Sequence, residues 1–133
     1  MKKRSRSAIK SIDIEAMPDK VYAFLADVSN WPEYAVVNLR SVSPGRDGWF
    51  KVVTKFGEGE IKVNGVKEYG ILDHVWRDPQ ASWQVFARVV SNGAGSTVMM
   101  TLFQPPVMTD QQFNDAMKEM DTEMAKLKEI LER

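Results

Sequence analysis

Thr109–Arg133, TDQQFNDAMKEMDTEMAKLKEILER, is the stretch whose reading decides the fold. Its apolar residues Phe113, Ala116, Met117, Met120, Met124, Leu127, Ile130 and Leu131 recur every three or four positions, which lays them along one stripe of an α-helix. Thr109 and Gln112 form a capping-box pair at its start: the hydroxyl takes an orphan backbone N–H and the amide reaches back to the cap residue. Asp110 and Asp115 lie near the beginning and Lys126, Lys128 and Arg133 near the end, the distribution the helix dipole favours. At ~1.5 Å per residue the helix is roughly 36 Å long, about the width of a small domain. An amphipathic helix of that length has to lie across something.

From Val36 to Phe103 the apolar period is two, which makes this a run of strands. Val36–Ser43 closes at Pro44-Gly45-Arg46-Asp47-Gly48, and in Trp49–Phe56 the positions Phe50, Val52, Thr54 and Phe56 are expected to face inward. Ile61 and Val63 alternate with Glu60 and Lys62. The next break falls either at Asn64-Gly65, a strong hairpin signal, or at Lys67 to Tyr69. Tyr69–Trp76 is a strand in either case, and Trp83–Val90 pairs with Thr97–Phe103 around Asn92-Gly93-Ala94-Gly95. Ahead of all this, Ile12 and Ile14 mark a first strand. Pro18 suits a first helical position before the apolar face of Val21, Phe24, Leu25 and Val28. Asn30-Trp31-Pro32 interrupts that helix, and a second short turn follows through Glu33 and Tyr34. The expected fold is α+β: a curved antiparallel sheet of about six to seven strands wrapped around the long C-terminal helix, with two short helices after the first strand.

The 133 residues suit one domain, taken as residues 8–133 after a basic tail, Met1–Ser7, that leads into no apolar segment and is expected to be solvated. The absence of cysteine excludes disulfides, thiolate metal sites and cysteine nucleophiles, and points to the cytoplasm. Eighteen basic residues balance eighteen acidic ones, which removes the bulk attraction that a nucleic-acid binder shows. No run approaches the ~18 apolar residues of a membrane span.

The order of elements and several phrases resemble the SRPBCC superfamily, the helix-grip or START-like fold. Ile14-Glu15-Ala16-Met17-Pro18-Asp19-Lys20-Val21-Tyr22-Ala23-Phe24-Leu25, with Asn30-Trp31-Pro32-Glu33-Tyr34 behind it, is similar to that superfamily's first strand and helix pair. Tyr69-Gly70-Ile71-Leu72-Asp73-His74-Val75, Arg88-Val89-Val90, Gly95-Ser96 and Thr101-Leu102-Phe103 resemble bacterial members labelled polyketide cyclase-like. The resemblance implies a cavity between the concave sheet and the long helix, open near the short helices. It would hold a small, largely apolar molecule, lipid-, polyketide- or aromatic-like. Trp31, Tyr34, Phe56, Trp76, Trp83, Met100, Phe113, Met117 and Met120 are the residues expected to line it, the methionines giving a soft, adaptable wall.

His74 is the only histidine and therefore the one candidate acid–base group of that type. Adjacent strand residues point to opposite faces, so Asp73 and His74 do not form a couple. Trp83, Val85, Ala87 and Val89 should share the inward face with Val98, Met100 and Leu102. The preceding strand then presents either Leu72, His74 and Trp76 or Ile71, Asp73 and Val75; the first is preferred, leaving Asp73 near Arg88 as a surface ion pair. One histidine and no cysteine support no metal site, and no cofactor motif is present. Three functions follow: a carrier or sensor of an apolar molecule; a metal-free cyclase, aromatase or dehydratase using His74 with Tyr69 or Tyr34; and a protein-interaction module resembling the heat-shock ATPase activator branch. A homodimer is left open.

Overall fold

The computed structural model describes residues 3–133; Met1 and Lys2 of the basic tail lie outside the described residues. The chain runs β1 (Ser7–Ile14), α1 (Pro18–Ala26), a 3₁₀ helix (Val28–Glu33), β2 (Leu39–Pro44), β3 (Phe50–Thr54) and β4 (Gly57–Val66). A 3₁₀ turn (Lys67–Tyr69), β5 (Ile71–Arg77), β6 (Ser82–Asn92), β7 (Gly95–Phe103) and α2 (Asp110–Leu131) complete it. The seven strands form one antiparallel sheet in the order β1-β7-β6-β5-β4-β3-β2, so the first and last strands are neighbours and β1 and β2 are the edges. This is the helix-grip architecture expected from the sequence.

Both bonds of the capping box are present: Gln112 N–H donates to Thr109 Oγ1 at 3.1 Å, and Thr109 N–H donates to Gln112 Oε1 at 2.8 Å. The 22 residues of α2 span about 33 Å, and Phe113, Met124, Leu127 and Leu131 are buried. Its C-terminal end is tied to the end of β1 and the turn that follows, where Lys128 donates to the Asp13 carbonyl at 2.8 Å and Glu132 accepts the Glu15 N–H at 2.8 Å. Ser96, buried in β7, donates to the Ala16 carbonyl at 2.6 Å and fixes the same turn from the sheet side.

Several boundaries move for local reasons. The hairpin between β3 and β4 turns at Lys55-Phe56 rather than at the glycines. Thr54 Oγ1 accepts the Phe56 N–H at 3.1 Å and donates to the Gly57 carbonyl at 3.0 Å, which closes a two-residue turn. Phe56 therefore leaves the strand before its inward phase and is 81% exposed, against the expectation that it lines the interior. β4 runs straight through Asn64-Gly65, and the chain reverses at Lys67–Tyr69 instead. The reversal is set by Gly70 at φ +67°, where a side chain would meet the Val89 carbonyl oxygen. Asn30-Trp31-Pro32 does not merely interrupt a helix; it forms half of the 3₁₀ segment, in which Val28 and Trp31 are buried. Arg6 is anchored by Asn114 Oδ1 at 2.6 Å with its guanidinium 5.2 Å from the Phe113 ring centre, and β1 begins at Ser7.

Candidate functional site

The concave face is built in rows across the strands. Phe50, Ile61, Trp76 and Trp83 pair in one row across β3, β4, β5 and β6, and Val63, His74 and Val85 form the next. Ala87 and Met100 belong to a third row with Lys10 of β1. The even phase of β5 thus faces inward, and His74 sits mid-sheet, half-buried among apolar neighbours.

Above His74, the Trp31 ring makes an edge contact at 4.9 Å between centres and 69° between planes. Trp31 is held there because its indole N–H donates to the Leu25 carbonyl at 2.8 Å, joining the 3₁₀ segment to α1. Tyr34 packs on Trp31 at 6.5 Å and on Phe24 at 6.3 Å. Trp31 and Tyr34 are both buried, so the short-helix end, expected to be the opening, is closed by aromatic packing. The inner apolar residues that keep exposure include Phe50, Val63, Trp76 and Trp83 on the sheet, with Met117 and Met120 on α2. Trp76 and Trp83 stack at 5.7 Å and 27°, and the Trp76 indole N–H donates to Asp78 at 2.9 Å.

Of the residues expected to line a pocket, the structure brings Trp31 and Tyr34 together with His74 between the short helices and the sheet, and pairs Trp76 with Trp83. Met100 is buried in β7, and Met120 packs half-buried against the core. Phe113 is buried beside β1, where with Arg6, Lys10, Asn114, Met117 and Lys118 it borders an outer groove of about 450 Å³. Tyr69 is 58% exposed on the 3₁₀ turn, and its hydroxyl makes no hydrogen bond to His74. The ion pair expected between Asp73 and Arg88 is not formed. Asp73 Oδ1 accepts the Ala87 N–H at 3.0 Å, while Arg88 donates to the Tyr69 carbonyl at 2.9 Å.

His74 Nδ1 lies 3.1 Å from the Leu72 carbonyl oxygen. A carbonyl can only accept, so Nδ1 is assigned the proton and, in the neutral ring, Nε2 keeps the lone pair. Burial pushes the His74 pKa below its ordinary value, against the smaller upward pulls of the Leu72 carbonyl and Asp73, so the ring is neutral at pH 7. No buried side-chain nitrogen or oxygen among the described residues lacks a partner. His74 Nε2 and the Tyr34 hydroxyl make no hydrogen bond to the described residues, and each keeps some accessible surface. Burial first, and the Glu123 charge second, hold the Tyr34 phenol far above its usual pKa, leaving it a neutral donor.

Glu123 is the polar residue that the sequence reading missed. It is 4% exposed in the middle of α2, and its Oε2 accepts the N–H groups of Val37 at 3.1 Å and Asn38 at 3.0 Å. The signal was its phase: three residues after Met120 and four before Leu127, it shares the apolar stripe. Burial pushes its carboxyl pKa up, opposed by the hydrogen bonds from Asn38 and Val37. Among the described residues no three His, Cys, Asp or Glu side chains gather as metal ligands would, and no helix is long and apolar enough to cross a membrane.

A curved seven-stranded sheet closed on a C-terminal helix, with α1 and a 3₁₀ segment after the first strand, is the helix-grip fold. No protein-family model matches the sequence, and neither does any curated protein. Solved structures do share the fold. The Aha1 dimer from Colwellia psychrerythraea superposes with a TM-score of 0.76 at 15% identity, over 96% of each chain. The structure of Ara h 8.0201 gives 0.70 at 10% identity, over 95% of this chain and 97% of its own. The di-domain ARO/CYC BexL of the BE-7585A biosynthetic pathway gives 0.71 at 17% identity, covering 93% of this chain and 45% of that one.

Proposed function

We propose that the chain binds a small, neutral, largely apolar molecule between the concave sheet and α2, as a carrier or sensor, with His74 as its polar anchor. The observation that carries this reading is the unpartnered Nε2 of a half-buried histidine whose ring meets Trp31 and whose cross-strand neighbours are Val63 and Val85. An acceptor in apolar surroundings selects a ligand with a hydroxyl or N–H and fixes its orientation, while aromatic and methionine side chains supply burial. Lys10 and Lys55, basic residues beside α2, are already engaged by Asp121 and Glu119, so a carboxylate ligand would find no free partner in either. The half-buried Phe50, Trp76, Trp83, Met117 and Met120 are the entry this reading favours.

Native mass spectrometry of the purified protein against its denatured mass tests it, followed by uptake from a panel of apolar compounds with and without a hydroxyl. A bound molecule at one per chain, or saturable uptake that Met120→Trp blocks, is expected. His74→Leu should weaken hydroxylated compounds roughly tenfold, the worth of one hydrogen bond, and leave the others unchanged. A bare protein that takes up nothing from the panel would end this reading. The cyclase-type alternative is favoured by one point, the neutral base at His74 in a fold shared with an ARO/CYC protein. It requires turnover that His74→Gln removes while affinity is retained.

A further inference from the structure

The pairing of β5 with β6 lapses beside His74. Ile71 pairs with Arg88 and His74 with Val85 in one continuous register, which sets Leu72 opposite Ala87 and Asp73 opposite Phe86, yet these two rungs are missing from the ladder. Val89 N–H donates to the Gly70 carbonyl at 2.9 Å. Antiparallel bonds alternate along the strands, so the next bonded rung would join Ala87 N–H to the Leu72 carbonyl. Instead the Ala87 N–H goes to Asp73 Oδ1 at 3.0 Å, and the Leu72 carbonyl is taken by His74 Nδ1 at 3.1 Å. Two adjacent side chains, pointing to opposite faces, thus replace one main-chain hydrogen bond.

We infer that Asp73 is a positioning residue for His74: by taking the Ala87 N–H it frees the Leu72 carbonyl to hold His74 in the Nδ1–H tautomer, with Nε2 as acceptor toward the interior. Without the carboxylate, Ala87 N–H would return to the Leu72 carbonyl and His74 would lose the contact that orders its ring. The other tautomer would present a donor at Nε2 and reverse what the site selects. This role rests on the reading of His74 as the ligand's polar partner, but it concerns the free protein and can be read there.

The chain's single histidine makes the measurement direct. Long-range proton–nitrogen correlation spectra of histidine-labelled protein at about pH 8 distinguish a pyrrole-type from a pyridine-type nitrogen. The wild type should show Nδ1 pyrrole-type and Nε2 pyridine-type. Asp73→Asn, whose amide oxygen still accepts from Ala87, should keep that pattern. Asp73→Ala should convert it to an exchange-averaged or Nε2–H pattern; should that variant fail to fold, Asp73→Ser, one bond shorter in reach, reads the same step. An Nε2–H wild type overturns the inference without any variant, and so does an unchanged pattern in Asp73→Ala or Asp73→Ser. The expected spectra with no uptake from the compound panel would end the ligand reading alone, and the wrong tautomer in a protein that binds would end this one alone.

Discussion

Glu123 and Asn38 are joined twice through one oxygen: Glu123 Oε2 accepts the Asn38 backbone N–H at 3.0 Å and its side-chain amide at 3.3 Å. With Val37 as a third donor, this carboxylate fastens the segment between the 3₁₀ helix and β2 onto the middle of α2. The same segment carries Tyr34 and Ala35, both buried. The closure of the short-helix end therefore depends on a charged residue inside the core.

Glu123→Ala should cost about 2–4 kcal/mol, because it leaves buried donors unpaired and a gap in the helix stripe. Glu123→Gln keeps an acceptor and removes the charge. Burial raises the Glu123 pKa above its ordinary 4.5, so the stabilisation from proton uptake is fully present below 4.5 and lost as pH rises through the folded value. The Gln variant should accordingly gain on the wild type as pH rises. Urea midpoints at about pH 4.5 and pH 8 for the pair check the sign; a wild type that gains on the variant would mean the three N–H donors outweigh burial.

The fold was legible because its strongest signals are local. The Thr109 cap, the stripe from Phe113 to Leu131 and the two-residue period of β6 and β7 do not depend on distant contacts. Phe56 was misread because a threonine hydroxyl, not a glycine, closed the turn, and side-chain turn bonds carry no periodicity. Glu123 was passed over because its charge argued for solvent while its phase argued for core; only the donors of Val37 and Asn38, more than eighty positions away, decide between them. Asp73 was assigned to a salt bridge on facing direction alone, and a gap in a ladder cannot be seen from either strand by itself.

His74 gives a pH dependence of the opposite sign. Its folded pKa lies below the ordinary 6.5, so as pH falls past 6.5 the unfolded chain takes up a proton that the folded protein refuses. Stability should fall between that pH and the folded value, then level off. Denaturation at about pH 7.5 and pH 5.5 should show a loss in the wild type that His74→Gln lacks, and a proton NMR titration of the single imidazole should give a midpoint under 6.5.

Gly70 and Gly93 separate backbone strain from collision. Both have positive φ, +67° and +58°, but a Cβ on Gly70 would strike the Val89 carbonyl, whereas nothing lies within 4 Å of one on Gly93. Gly93→Ala should cost about 1–2 kcal/mol, the left-handed penalty alone. Gly70→Ala should cost more, about 2–4 kcal/mol, because the Gly70 carbonyl also holds the Val89 N–H at 2.9 Å and cannot retreat without breaking that bond. Equal losses in thermal unfolding would show that the β5–β6 backbone yields at no cost.

Trp76 requires a glycine beneath it, since a Cβ on Gly59 would collide with the indole ring. The ring cannot move freely, being stacked on Trp83 and bonded to Asp78. Gly59→Ala should therefore cost about 1–3 kcal/mol and alter the near-ultraviolet circular dichroism of the tryptophan pair. Phe56→Ser, one turn away and exposed, should change stability by less than about 0.5 kcal/mol and leave that spectrum intact. The contrast locates the inner wall: if Phe56→Ser disturbed the tryptophan signal as much as Gly59→Ala, the β3–β4 turn would have to fold over the concave face rather than away from it.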